Sequence, residues 1–260
     1  MAKLEGTIQL TGSVQNLSFY KMRGSDKIII RRKGGPSKKQ VKNAKNFENT
    51  RRNNMEFGGR ALAAATIKSY LHPLLFLADY NIVGPLNALL RTIQKMDTTS
   101  GWGKRHVLLT KQPRLLEGFT LNRRYLLETI VRTPVVCNLQ GEQVHIDLPA
   151  LVPGINFMSP GNYPYFRFIG TAGLVPDICY TEHGYMLKYK ERSYFEYAQS
   201  DWLPVNAPAS ASTLILKGMP ANKPADCSIM VALGVAFGKL KGDTIVPEKY
   251  VGGAKVLIVV

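Results

Sequence analysis

The chain has 260 residues, 45% apolar and 20% charged, long enough to bury a full core and ordinary in composition for a globular protein. Its formal charge is +16, carried by 34 Lys/Arg against 18 Asp/Glu. Three cysteines, Cys137, Cys179 and Cys227, with no CxxC pair exclude a disulfide framework and a cysteine zinc site, and no apolar run reaches the ~18 residues of a membrane span.

The charge is unevenly placed. Residues 1–60 hold 14 basic against 4 acidic residues, residues 61–125 hold 9 against 3, and residues 126–260 hold 11 of each. A solubility device would be spread over the surface. An excess confined to the first half reads as an electrostatic footprint for a polyanion or an acidic partner. With no secretory h-region at the N-terminus, the expected setting is soluble and cytoplasmic, with no membrane.

In chain order, Thr7–Leu10 reads as a short strand ending at Thr11-Gly12-Ser13. Leu17–Met22 and Lys27–Lys33 flank the turn Arg23-Gly24-Ser25-Asp26 and predict a β-hairpin. Alternation in its second strand sets Ile28 and Ile30 on one face and Lys27, Ile29, Arg31 and Lys33 on the other. Gly34-Gly35-Pro36 ends the strand, and Ser37 is a candidate N-cap for a weakly apolar segment, Lys38–Asn46.

A helix is predicted from about Phe47. Its second half carries an apolar stripe at Leu62, Ile67, Tyr70, Leu71, Leu74, Leu75 and Ala78. Gly58-Gly59 predicts a kink or close packing, and Pro73 a kink or a boundary. Ile82–Met96 reads as a further helix, with Pro85 near its first turn.

After Gly101-Trp102-Gly103 the character changes. Val107–Thr110, Val131–Thr133, Val135–Leu139, Val144–Leu148, Tyr165–Ile169, Thr213–Lys217, Ser228–Phe237 and Lys255–Val260 read as short strands. Leu139–Val144 is a candidate hairpin. Eight or so strands in roughly 150 residues indicate a two-sheet sandwich. The fold expected is α+β: a basic N-terminal β-hairpin with helices (residues 1–103), then a mostly antiparallel β-sandwich (residues 104–260).

Motifs for catalysis are missing. Gly234-Val235-Ala236-Phe237-Gly238-Lys239-Leu240 has three residues between its glycines where a phosphate loop needs four, and Leu240 where that loop needs Ser or Thr. His72, His106, His145 and His183 have no ligand spacing. No serine sits in a nucleophile elbow. The expectation is a protein that is not an enzyme, with no catalytic residue, no cofactor and no metal. The aromatic segment YTEHGYMLKYKERSYFEYAQSDW, from Tyr180 to Trp202, reads either as a stacking platform or as half-buried strand positions.

The candidate nucleic-acid-binding residues are Arg31, Arg32, Lys33, Lys38, Lys39, Lys42, Lys45, Arg51, Arg52 and Arg60. Together they suit phosphate neutralisation without base readout. The expected partner is nucleic acid or another polyanion. The alternative is a self-assembling structural protein, a homo-oligomer in which the N-terminal hairpin pairs with a neighbouring subunit's sheet edge.

The stretch NLSFYKMRGSDKIIIRRKGGPSKKQVKNAKNFENTRRNNMEFGGRA is similar to the opening of a group of uncharacterised Bacteroidetes proteins. In these an LSFY strand, an RxKGG turn, an SK start and a TRxNxxEFG helix follow one another. Here the elements are Leu17–Tyr20, Arg32–Gly35, Ser37-Lys38 and Thr50–Gly58, and PGINFMSPGNYPYF and the ending GGAKVLIVV extend the likeness along the chain. The resemblance implies a shared fold and transfers no activity, cofactor or catalytic residue.

Overall fold

The structure is a computed structural model describing residues 2–4, 10–21, 27–189 and 194–260. Its contacts divide the chain into two compact units, residues 1–51 and 52–260. The sequence-based partition falls at residue 103, whereas the compact units divide at Arg51/Arg52.

In the first unit β1 (Ala2–Leu4), β2 (Gly12–Val14), β3 (Leu17–Lys21) and β4 (Ile28–Arg32) form an antiparallel sheet in the order β1-β4-β3-β2. Leu17 pairs with Arg32 and Lys21 with Ile28, the register of the predicted hairpin. Its turn residues 23–26, and Thr7–Gln9 of the first predicted strand, lie outside the described residues; Leu10 is described and is not in a strand. Alternation along β4 turns Ile28 and Ile29 to opposite faces, and both are buried.

Ser37 caps α1 (Lys38–Asn43) with a full capping box. Gln40 N donates to Ser37 Oγ at 3.2 Å, and Ser37 N donates to Gln40 Oε1 at 2.7 Å. Arg51 Nη1 donates to the carbonyl oxygens of Val41 and Ala44, both at 2.9 Å, and so satisfies the chain leaving α1.

The second unit is built on α2 (Glu48–Tyr70, of which residues 52–70 belong here), a 3-10 segment His72–Leu77, α3 (Val83–Lys95) and the single-turn α4 (Leu127–Ile130). The three-stranded sheet holds β5 (Val136–Gln140), β6 (Gln143–Leu148) and β12 (Ser212–Lys217), in the order β12-β6-β5. The larger sheet holds β7 (Tyr165–Pro176), β10 (Phe195–Gln199), β11 (Leu203–Pro204), β13 (Cys227–Lys241) and β14 (Thr244–Val259). Its order is β10-β7-β13-β14, with β11 also on β7, and a two-stranded ribbon pairs β8 (Ile178–Thr181) with β9 (Gly184–Leu187). The predicted hairpin turns at Gly141, whose φ of 58° suits a tight two-residue connection.

Two cores flank the larger sheet. Phe166, Phe168, Leu174, Ile229, Val231, Leu233 and Phe237 pack with Val144, Ile146, Leu214 and Leu216 of the smaller sheet, giving the expected sandwich. The opposite face meets the helices. Ile169, Val175, Met230, Ala232, Ala236, Ala254 and Val256 pack with Ile67, Leu71, Leu74, Leu77, Leu86, Leu90 and Ile93.

On that second face glycines admit the largest helical side chains. A Cβ at Gly234 would lie 2.7 Å from Leu74 Cδ2, and one at Gly173 would enter the Tyr70 ring. With both faces covered, strands β7 and β13 read as near-continuous apolar runs rather than alternating ones. Each fully buried Leu or Ile contributes roughly 1.5–3 kcal/mol, so the helical layer is integral to this unit's stability. Among the described residues no helix is long and apolar enough to cross a membrane.

Candidate anion-binding cleft

The ten cations singled out in the sequence fall into three environments. Arg31, Arg32, Lys33, Lys38, Lys39, Lys42 and Lys45 are all exposed in the first unit, with the Arg31 guanidinium 5.4 Å from the Tyr20 ring centroid. Arg51 is turned onto the backbone carbonyls after α1. Arg52 and Arg60 belong to the second unit, where they stand at a cleft.

That cleft, of about 530 Å³, is lined by Asn53, Glu56, Arg60, Arg91, Lys95, Trp102 and Arg105. Helix periodicity places Asn53, Glu56 and Arg60 on one side of α2, and Arg91 and Lys95 one turn apart on α3. The remaining wall is the loop after α3.

Glu56 organises the floor. It is 3% exposed and accepts from Arg105 twice, Nε to Oε1 at 2.7 Å and Nη2 to Oε2 at 2.8 Å, and from Gly103 N at 2.9 Å. Burial pushes its carboxyl up, but the Arg105 bond outweighs that together with Gly103 and Arg60, and holds it below the usual range. The same bond raises Arg105. Arg60 Nη1 lies 4.0 Å from Glu56 Oε2 and donates to Gln94 Oε1 at 2.6 Å. Gln94, 1% exposed, donates in turn to the Arg105 carbonyl at 2.8 Å. Burial lowers Arg60; Glu56 opposes this and Arg91 and Arg105 add to it. Four cations thus face one carboxylate that is already fully engaged.

Tyr185 of β9 closes the network from behind, its hydroxyl donating to the Arg105 carbonyl at 2.9 Å and accepting from Gln94 Nε2 at 3.3 Å. Its ring lies on Gly59, where an added Cβ would stand 2.5 Å from Tyr185 Cδ1. The Gly58-Gly59 pair therefore serves close packing at Gly59 and none at Gly58, which faces open space. Trp102, 42% exposed, is stacked by the Arg52 guanidinium at 5.4 Å from the ring.

Asp97 shapes the loop that carries Trp102 and Arg105. Its Oδ1 accepts from Thr99 N at 2.9 Å and Thr99 Oγ1 at 2.6 Å, and its Oδ2 from His106 N at 2.7 Å. Burial would raise this carboxyl, but the bonds from Thr99 and His106 hold it down to about 2. A depressed folded-state pKa stabilises above the unfolded value and is lost as pH falls. Asp97→Asn is therefore expected to lower stability at pH 7 by on the order of 2 kcal/mol, with the gap to the parent shrinking from about pH 5 towards pH 2. Urea midpoints of both proteins across that range measure it.

Among the described residues no group of three or more His, Cys, Asp or Glu side chains could hold a metal ion. His106 Nδ1 accepts from Tyr180 N at 2.9 Å. Burial pushes the Cys137 thiol up to about 12 and the Cys227 thiol to about 11, which leaves neither a nucleophile at neutral pH. In the aromatic segment, Tyr180 and Tyr185 meet edge to face at 5.1 Å and Phe195 stacks on Tyr70 at 5.9 Å. Tyr180, Tyr185 and Phe195 are half-buried positions on β8, β9 and β10. A hollow of about 610 Å³ near Met219 is lined, among the described residues, by the carboxylates of Glu142 and Glu196.

Sequence reasoning named Arg52 and Arg60 but missed Arg91, Lys95, Trp102 and Arg105. Arg91 and Lys95 were legible as an i,i+4 pair of cations on the polar side of α3; Trp102 and Arg105 sit in a loop whose path no periodicity reveals. No family model matches the chain, and neither a curated protein nor a solved structure matches it.

Proposed function

We propose that this protein is a non-enzymatic, cytoplasmic binder of nucleic acid or a similar polyanion, holding phosphates without reading sequence. The observation that carries this reading is the run from Lys27 to Phe47. It contains no acidic residue, and Arg31, Arg32, Lys33, Lys38, Lys39, Lys42 and Lys45 in it are all exposed. Side chains free to reach solvent release counterions when they meet phosphates, which is the source of non-specific affinity.

The test is fluorescence anisotropy of nuclease-treated protein with labelled duplex DNA and single-stranded RNA. If six phosphates are contacted, affinity is expected to fall about 10³-fold between 50 and 200 mM salt. Replacing Arg31, Arg32, Lys33, Lys38 and Lys39 by glutamine should abolish binding. No binding of the parent at 50 mM salt would reject the reading.

A second reading, self-assembly through the N-terminal strands, is favoured by one observation. Strand β2 is the edge of its sheet, all three of its residues are exposed, and Val14 and the neighbouring Leu17 are 58% and 41% exposed. Large assemblies that survive nuclease and high salt in sedimentation velocity would favour it over the polyanion reading.

A further inference from the structure

The cleft in the second unit has a shape and charge that the exposed run does not. We infer that it is a separate binding site for a nucleoside monophosphate, with the phosphate held by Arg60, Arg91, Lys95 and Arg105 and the base laid on Trp102.

Three observations converge on this ligand class. First, the volume of about 530 Å³ lies within the ~300–1,000 Å³ of small-molecule sites. Second, the cations outnumber the single carboxylate, and Glu56 is already occupied by two bonds from Arg105 and one from Gly103. What remains is a surplus of guanidinium and ammonium donors, among them Arg91 and Lys95, which are exposed and one turn apart. Guanidinium groups present planar forks that match phosphate oxygens. Third, the donors are framed by an indole. Trp102 keeps 42% of its surface open even with Arg52 stacked on it. A ring ligand gains stacking there that a bare anion cannot.

The site is also pre-organised. Arg60 is fixed by Gln94 and Arg105 by Glu56, so neither side chain has to be ordered when the ligand arrives. The gathering of like charges around Arg60, which lowers its proton affinity along with burial, is relieved by a dianion. A monoester dianion suits four cations better than a monoanionic carboxylate does.

The experiment is equilibrium dialysis of the full chain against AMP, adenosine and inorganic phosphate at low salt. AMP is expected to saturate one site, about tenfold or more tighter than phosphate because of the stacked base, and adenosine is expected not to bind. Arg91→Gln with Lys95→Gln, both at exposed positions and outside the Glu56 network, should weaken AMP about tenfold or more. Trp102→Leu should bring AMP down to the level of phosphate. The five-fold glutamine variant of residues 31–39 should bind AMP as the parent does, which separates this site from the polyanion surface. No saturable AMP binding up to about 5 mM would overturn the inference. So would phosphate binding as tightly as AMP, or AMP binding unchanged in the Arg91/Lys95 variant.

Discussion

Replacing Glu56 by glutamine is expected to destabilise the chain by about 3 kcal/mol. Glu56 is 4% exposed as a side chain and Arg105 is 20% exposed, and they meet through two parallel bonds. Removing one partner of a buried pair costs about 3–5 kcal/mol because the other charge stays behind uncompensated. The lower end applies, since Arg105 keeps some access to water. Glutamine preserves volume and one acceptor, so the loss reports charge and not a cavity.

Two further readouts separate this account from a general packing defect. A Glu56→Gln, Arg105→Gln double variant should recover part of the loss, because the stranded charge is gone. The pH dependence has a definite sign. The folded-state pKa of Glu56 is depressed, so its contribution is present above the unfolded value and disappears as pH falls. The gap between parent and Glu56→Gln should be widest at neutral pH and narrow as pH falls through and below the ordinary carboxylate range. Urea midpoints of the three proteins from pH 7 to pH 3 provide the measurement. A gap that stays constant with pH would remove the ion pair from the explanation.

Much of the fold was legible from local rules. The apolar stripe from Leu62 to Leu75 marks the helical face that is buried, Ser37 opens a helix through a capping box, and Gln140-Gly141-Glu142-Gln143 turns a hairpin. What local rules missed lies at tertiary level. Strands β7 and β13 are covered on both faces, so they lack the one-sided alternation of a simple sandwich. Val107–Thr110 reads as a strand but pairs at one residue only. Val107 exchanges backbone bonds with Ile178 at 2.8 and 3.0 Å, and Asp177 then draws Thr110 N away from any ladder. The cleft shows the same division. Its charges were visible one at a time, but it is assembled from residues 53, 95, 105 and 185, which only the packing of two helices, a loop and a ribbon brings together.

Gly252→Ala is expected to cost on the order of 4 kcal/mol. The ladder between β13 and β14 steps from Ala236–Gly252 to Gly238–Pro247, so residues 248–251 bulge out of register. The bulge is pinned from inside. Asn122, fully buried, donates to the carbonyls of Tyr250 at 3.1 Å and Leu77 at 2.8 Å, joining β14 to the 3-10 segment that covers the sheet. Gly252 returns the strand to register with φ of 123°, a conformation worth about 1–3 kcal/mol of strain in any other residue. Its missing Cβ also makes room for the Val235 carbonyl, which an alanine methyl would overlap, and for Leu77 Cδ2 at 3.2 Å. Backbone cannot swing aside as a side-chain tip can, so overpacking of about 1–3 kcal/mol adds to the strain. Gly242→Ala supplies the control. Gly242 also has positive φ, at 61°, but faces open space in the turn between the same strands, so only about 1–2 kcal/mol should be lost there. Urea denaturation of the two variants decides between the causes. Equal losses would mean that backbone conformation alone matters at both sites; a larger loss at Gly252 would place the difference in the contact with Val235.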